Sequence, residues 1–266
     1  MTAKTRTVVI DCFPESASTH RRESAIIAVD VIRATTTIGT AVALGRECFP
    51  VPTIEAAVAV AGKLVEPLLV GELGGNMPNG FDLHNSPAEL ASRTDIHRPM
   101  IILSTSGTRL IAEAEGAEAV YAASLRNYRA QATHAGARHA RIAVIGAGAR
   151  GEFRDEDQLC CAWIAAELIE IGYQPDDRRT AELVDRWAGV AVDAVAGGPS
   201  ADYLRRTGQV RDLEFVLTHI NDLHDVYPVE GGRVVRRTVS SMVGAQSALR
   251  SPWSVNDQHE RHHGPR

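Results

Sequence analysis

Carboxylates, hydroxyls and two arginines, far apart in this chain, stand where an apolar run gives way to a turn. Ala25-Ile26-Ile27-Ala28-Val29 runs into Asp30-Val31-Ile32-Arg33-Ala34-Thr35-Thr36-Thr37, and Leu68-Leu69-Val70 into Gly71-Glu72. Gly80-Phe81-Asp82-Leu83-His84-Asn85-Ser86-Pro87 follows a weaker strand signal. Ile101-Ile102-Leu103 runs into Ser104-Thr105-Ser106-Gly107-Thr108-Arg109, and Ile142-Ala143-Val144-Ile145 into Gly146-Ala147-Gly148. In open α/β sheets the strand carboxyl ends share one edge, and ligands bind there. Gathered on such an edge, these residues suit a hard cation with oxygen ligands and a phosphorylated anion.

Each segment has a structural reading beside the functional one. Asp30 ends a buried strand, where a carboxylate is costly unless paired, hydrogen-bonded or bound to a cation. With Arg33 and Thr35, Thr36 and Thr37 it forms either an anion cradle at a helix start or an ion pair with capping threonines. Ile32 stands where a haloacid-dehalogenase phosphatase needs a second Asp, which argues against that fold. Glu72 and Asp82, from separate loops, are a pair suited to magnesium; alone, Asp82 and Asn85 are equally turn formers. His84 is a loop histidine with no partner in view. Arg109 lies in a first helical turn, unfavourable for a cation, so an anionic partner is expected, either a ligand or a salt bridge. Gly146 to Gly151 spells G-x-G-x-x-G, but an acidic run follows and no acid ends a second strand, so a dinucleotide site is not expected. Glu156 and Asp157 open the next helix, as dipole-stabilised caps or as metal ligands through water.

The elements that position these residues follow from the patterning. Strands are expected near 7–12, 25–29, 47–51, 68–70, 100–104, 118–121 and 141–145, with helices near 34–44, 53–64, 88–92, 108–115, 125–135 and 156–171. Ser86 and Thr53 read as N-caps, Pro87 as a first helical residue and Gly45 as a helix stop. Alternating strands and helices imply an α/β fold, a three-layer α/β/α sandwich with a largely parallel or mixed sheet. Residues 176–206 read as helical, and 212–217 and 226–235 as late strands. Residues 1–250 are expected to form one domain, with 251–266 a disordered polar tail.

The chain has 266 residues and a net charge of −5. That charge, with no basic stripe and few aromatics, argues against a nucleic-acid binder. No membrane span or signal peptide stands out, so a cytoplasmic location is expected. Cys12, Cys48, Cys160 and Cys161 show neither zinc nor disulfide spacing and read as core residues in a reducing compartment.

Taken together, Asp30–Thr37, Gly71–Gly75 with Glu72, Gly80–Pro87, Thr105–Arg109 and the Glu156-Asp157 pair resemble the 2-phosphosulfolactate phosphatase family over roughly residues 7–235. The resemblance implies an α/β/α sandwich and a magnesium-dependent phosphatase that releases phosphate from 2-phospho-3-sulfolactate, a step towards coenzyme M. His84 stands where the family usually has glycine, Ser106 where it has asparagine, and Gln158 where an acid follows the acidic pair. A substrate shifted to another 2-phospho-hydroxy acid, a sugar phosphate or a nucleoside phosphate is therefore an open alternative, as is a phosphometabolite-binding protein without catalysis. The expected catalytic residues are Asp30, Arg33, Glu72 and Asp82, with Asp30, Glu72, Asp82, Glu156 and Asp157 around Mg2+. Thr35, Thr36, Thr37, His84, Asn85, Ser86, Thr105, Ser106, Gly107, Thr108 and Arg109 are expected to bind substrate. The nucleophile is either Asp30 or a metal-bound water, and a homo-oligomer is left open.

Overall fold

The computed structural model describes residues 5–238; the expected tail at 251–266 lies outside them. Two blocks of parallel strands are joined through antiparallel ones. The larger block contains β1 (Thr7–Cys12), β2 (Ala25–Val29), β6 (Val120–Ala123), β7 (Arg141–Gly146) and the short β8 (Gln174–Pro175). The smaller contains β3 (Cys48–Val51), β4 (Leu68–Gly71) and β5 (Met100–Leu103). Between them lie β9 (Asp225–Glu230) and β10 (Arg233–Val234), giving the order β4-β5-β3-β10-β9-β6-β2-β7-β1-β8. The last short strand, β11 (Arg237–Thr238), pairs with β9. This is an α/β fold with a mixed sheet, as the alternation of elements implies.

The register of side chains shows how the blocks sit. One face of the larger block packs on α6 (Tyr128–Gly136), α7 (Asp155–Glu170) and α8 (Arg178–Trp187). Its other face shares a core with α2 (Ala34–Ala43) and α5 (Gly107–Glu113). That core also takes Cys48, Leu68, Val70, Met100 and Ile102 from the smaller block. Ile101 and Leu103 alternate to the far side, against α3 (Ile54–Ala61). The three layers expected are therefore present around the larger block, and the smaller block continues beyond the shared helices. This folding-over brings strand ends from both blocks to one place.

Local signals read from the sequence recur in the backbone. Ser86 caps α4 (Pro87–Ala91) by accepting from the Glu89 N–H at 3.1 Å, and Thr53 caps α3 through Ala56 N–H at 3.1 Å. Gly45, with φ of 89°, closes the chain after α2. All four cysteines are buried and free. A short helix, α1 (Ala17–His20), occupies part of the connection after β1. The segment 212–217 is not a strand but part of α10 (Val210–Thr218). Its short apolar run admits either period, and tertiary packing decides: Leu213 and Val216, three apart, turn inward together. The preceding polar stretch supplies α9 (Pro199–Arg206). Among the described residues no helix is long and apolar enough to cross a membrane.

Arg46 joins the turn after α2 to the loop entering β5. Its guanidinium, wholly buried, donates to the carbonyls of Asp95 (2.8 Å) and Arg98 (2.7 Å) and to Asp95 Oδ1 (2.8 Å). Removing it strips the Arg98 carbonyl of its donor, while the Asp95 carbonyl keeps Arg98 N (3.1 Å) and Asp95 Oδ1 keeps Arg93 Nε (2.9 Å). Arg46→Ala is expected to lower unfolding free energy by about 1–3 kcal/mol, measured by denaturant titration. A loss within ~0.5 kcal/mol, as for an ordinary surface change, would contradict this assignment.

Candidate active site

Asp30 is placed by the strand before it. Every residue of β2 is buried, and Asp30 follows it with little of its side chain exposed, in the lining of a cavity. The turn beyond is closed by the threonines themselves. Thr35 Oγ1 accepts from Asp30 N (2.9 Å) and donates to Asp30 O (2.8 Å). Thr36 and Thr37 donate to the carbonyls of Val31 (2.8 Å) and Arg33 (3.1 Å). These three hydroxyls, expected on a substrate, are instead spent on the backbone that shapes the loop.

The carboxylate of Asp30 lies against Gly107. A Cβ at Gly107 would stand 2.3 Å from Asp30 Oδ2, so this glycine creates the space the carboxylate occupies. Burial raises the Asp30 carboxyl from its ordinary 3.8 to about 7, and the negative charges of Glu72 and Glu156 add to the rise. The backbone N–H of Ala34 and the charge of Arg33 oppose it.

Glu72, after β4, is fixed by three donors. Oε1 accepts from Thr105 N (2.7 Å); Oε2 accepts from Thr105 Oγ1 (2.9 Å) and Gly75 N (2.8 Å). It thus ties the loop after β4 to the loop after β5. Asp157, in the first turn of α7, does the same for the larger block. Its two oxygens accept from Val31 N (2.8 Å) and Gly148 N (3.0 Å). Those loops leave the adjacent strands β2 and β7, from which the chain departs in opposite directions along the sheet. Such a reversal point is where open α/β sheets bind ligands. Asp157 was expected on a metal; both its oxygens are engaged by the backbone, and its role is to hold this crevice together. Glu156 is buried beside it, with Oε2 lacking any partner. Burial raises its carboxyl too, opposed by the Ser200 hydroxyl beside it.

A cavity of about 210 Å³ opens between these loops. Asp30, Arg33, Glu72, Asn85, Thr105 and Ser106 line it, all residues singled out from the sequence. Asn85 Oδ1 is buried there without a partner. His84 lies just outside the lining; burial, then the charge of Arg33, lowers its pKa, and its Nδ1 has no partner. Four expected residues belong elsewhere. Asp82 accepts from Leu69 N (2.8 Å) and meets Arg98 at 3.4 Å, covering the free edge of β4. Arg109 is paired with Glu15 at 2.7 Å, the salt-bridge alternative. Thr108 turns back to the end of β5, with Oγ1 accepting from Ser104 N at 2.9 Å and donating to Ser104 O at 3.0 Å. Ser86 combines its cap with donation to Asp212 Oδ1 at 2.6 Å.

The opposite wall escaped the sequence reading. Arg150 and Arg154 come from the loop after β7, and Ser200, Tyr203 and Arg206 from α9. Tyr203 donates to the carbonyl of Gly75 and so joins α9 to the loop after β4. The G-x-G-x-x-G segment contains Arg150, and that was the available signal; α9 carries no motif. Guanidiniums and carboxylates thus share the cavity lining.

Among the described residues no three His, Cys, Asp or Glu side chains are gathered into a ready ligand group. Asp30, in the lining, and Glu156, buried behind it with its charge acting on Asp30, nonetheless bring under-compensated negative charge to the cavity. Magnesium takes one or two carboxylates and completes its shell with water and phosphate oxygens, so the set fits it.

Sequence comparison now meets this geometry. The 2-phosphosulpholactate phosphatase family profile matches residues 11–230, which include every loop of the cavity. The chain belongs to this family. A relative from Carboxydothermus hydrogenoformans, named probable 2-phosphosulfolactate phosphatase, is 31% identical over 84% of this chain and 94% of its own. One of the same name from Deinococcus radiodurans is 34% identical over 77% of this chain and 86% of its own. Another, from Thermus thermophilus, is 34% identical over 71% and 81%. Of the three departures from the family pattern, Ser106 lines the cavity and His84 stands beside it. Gln158 does not: it donates to Phe153 O at 2.6 Å and accepts from Trp187 Nε1 at 3.4 Å, bracing the loop that carries Arg150 and Arg154.

The raised carboxyls fix the sign of a pH effect. Between about pH 4 and 7 the metal-free folded protein holds a proton on Asp30 that the unfolded chain has released, so stability falls as pH rises through this window. Glu156 and Asp157, both raised by burial, act in the same direction. Melting temperature without metal is expected to drop by on the order of 5–10 °C across it, with a shallower slope in Asp30→Asn. A melting temperature that climbs over this range would contradict the charge assignment.

Proposed function

We propose that this protein is a magnesium-dependent phosphatase for a small phosphate monoester bearing further acid groups. 2-Phosphosulfolactate, or a related 2-phospho-hydroxy acid, is the substrate class. The observation that carries the reading is the charge layout of the cavity. Asp30 and Glu72 line it, with the charge of buried Glu156 acting on Asp30, while Arg33, Arg150, Arg154 and Arg206 line it with positive charge. The names of the family and its members support the phosphatase reaction.

Asp30 and Glu156 would hold the magnesium ion, which supplies charge to offset the phosphoryl oxygens and to activate the attacking group. Arg33 binds the phosphoryl group with charge-assisted hydrogen bonds. Thr105 N and Glu72 keep the loops after β5 and β4 at fixed separation, so phosphate meets a pre-formed site rather than one it must order. Asp30, with a pKa near neutrality, loses its proton as a cation approaches and accepts charge at little cost. Arg154 is the second acid's receptor: its side chain is nine-tenths buried, its Nε has no partner, and its carboxylate partner Glu152 is largely exposed. Enclosure by α9 excludes water from these contacts and strengthens them.

The test is phosphate release from a panel of esters, with magnesium and with excess chelator. 2-Phosphosulfolactate, 2-phospholactate and phosphoglycolate are expected to be hydrolysed, with release lost on chelation and in Asp30→Asn. Nucleoside and sugar phosphates are expected to be poor. Arg154→Ala is expected to raise KM for esters with a second acid about 10- to 100-fold, leaving p-nitrophenyl phosphate within ~3-fold. Binding without release from any ester would overturn the catalytic reading; equal losses on both ester types would overturn the role of Arg154.

A further inference from the structure

Arg33 stands between two acids. On its own turn, in the same cavity lining, is Asp30; outside the lining is Asp212, in the first turn of α10. Asp212 Oδ2 pairs with Arg33 Nη1, and both side chains are 4% exposed. Asp212 Oδ1 accepts from Ser86 Oγ at 2.6 Å and from Ala88 N at 3.1 Å. One carboxylate therefore unites the turn after β2, the start of α4 and α10. It uses both oxygens, and it lies outside the cavity lining.

A buried guanidinium that loses its counter-ion seeks another, because an unpaired charge inside the protein is strongly unfavourable. Of the two carboxylates lining the cavity, Glu72 has both oxygens engaged by Thr105 and Gly75, which leaves Asp30, whose charge Arg33 already acts on. If Arg33 turned there, one movement would remove the phosphate receptor and neutralise a carboxylate assigned to the cation. We propose that Asp212 is a positioning residue that holds Arg33 off Asp30, keeping the guanidinium for phosphate and the carboxylate for the cation. This rests on the phosphatase reading for what the two groups do, but not for the pairing that governs them.

Asp212→Asn separates this role from a purely structural one. The amide oxygen can still accept from Ser86 and Ala88, while its NH2 group meets Arg33 donor to donor. Calorimetry with Mg2+ alone, and with inorganic phosphate in the presence of Mg2+, reads the two arms. Asp212→Asn is expected to weaken both about tenfold or more. Arg33→Ala is expected to weaken phosphate but not Mg2+. In the double variant, phosphate binding should be no weaker than with Arg33→Ala, and Mg2+ affinity should return to the wild-type value or above. Such rescue has no place in a structural account, where the second substitution adds damage or changes nothing.

Mg2+ affinity equally low in Asp212→Asn and in the double variant would overturn the proposal. So would unchanged phosphate affinity in folded Asp212→Asn, or absent phosphate binding by the wild type. Should Asp212→Asn fail to fold, Ser86→Ala loosens the same carboxylate. It is expected to weaken phosphate several-fold, again without further loss when combined with Arg33→Ala, and additive losses would count against the proposal. The ester panel is read separately, so failure of phosphatase activity is distinguishable from failure of the pairing.

Discussion

Asp30 is buried at the end of a wholly apolar strand with too little positive charge close by to balance it. That constraint organises the site. The carboxylate is largely withdrawn from water, so its charge is held back by a raised pKa until something positive arrives. Gly107 leaves room for it and the threonines after it fold the loop that carries it. Glu72 and Glu156 deepen the excess rather than relieve it. A protein that only needed a stable core would place an apolar residue here, as isosteric replacement of buried charge is often neutral or stabilising.

The rest of the fold keeps this group from being satisfied internally. Asp157 and Glu72 are carboxylates that act as cross-ties, each accepting backbone N–H groups from neighbouring strand-end loops. Because two parallel blocks share the α2 and α5 layer, loops from both reach the same cavity, and α9 covers them through Tyr203. Arg33, the cation nearest in sequence, is anchored by Asp212 instead. Positive charge therefore lines the cavity, with Arg33 paired to Asp212 rather than to Asp30.

Much of this was legible in the residues. The continuous apolar run before Asp30, the Ser86-Pro87 helix start and the alternation of strands and helices led to the right class and to the strand-end loops. What failed shares one cause: a polar side chain near a site looks the same in sequence whether it faces a ligand or its own backbone. Thr35, Thr36, Thr37 and Thr108 turned back to local carbonyls and amides, and Asp82 covered an edge strand. Local spacing also says nothing of partners far along the chain. Asp212 meets Arg33 across 179 positions, and its surroundings read as a strand because a short apolar run fits either period. Arg154, Tyr203 and Arg206 belong to no motif and became visible only when α7 and α9 were placed against the cavity.

The central claim is that Asp30 is a proton-holding carboxylate waiting for a cation. Titration of Mg2+ into the protein by calorimetry near pH 6.5, in two buffers of different ionisation enthalpy, counts the protons that leave on binding. The account predicts saturable binding with net proton release, on the order of one per site, and a smaller release or no binding in Asp30→Asn. Binding with no proton release, or release unaltered by that substitution, would contradict it.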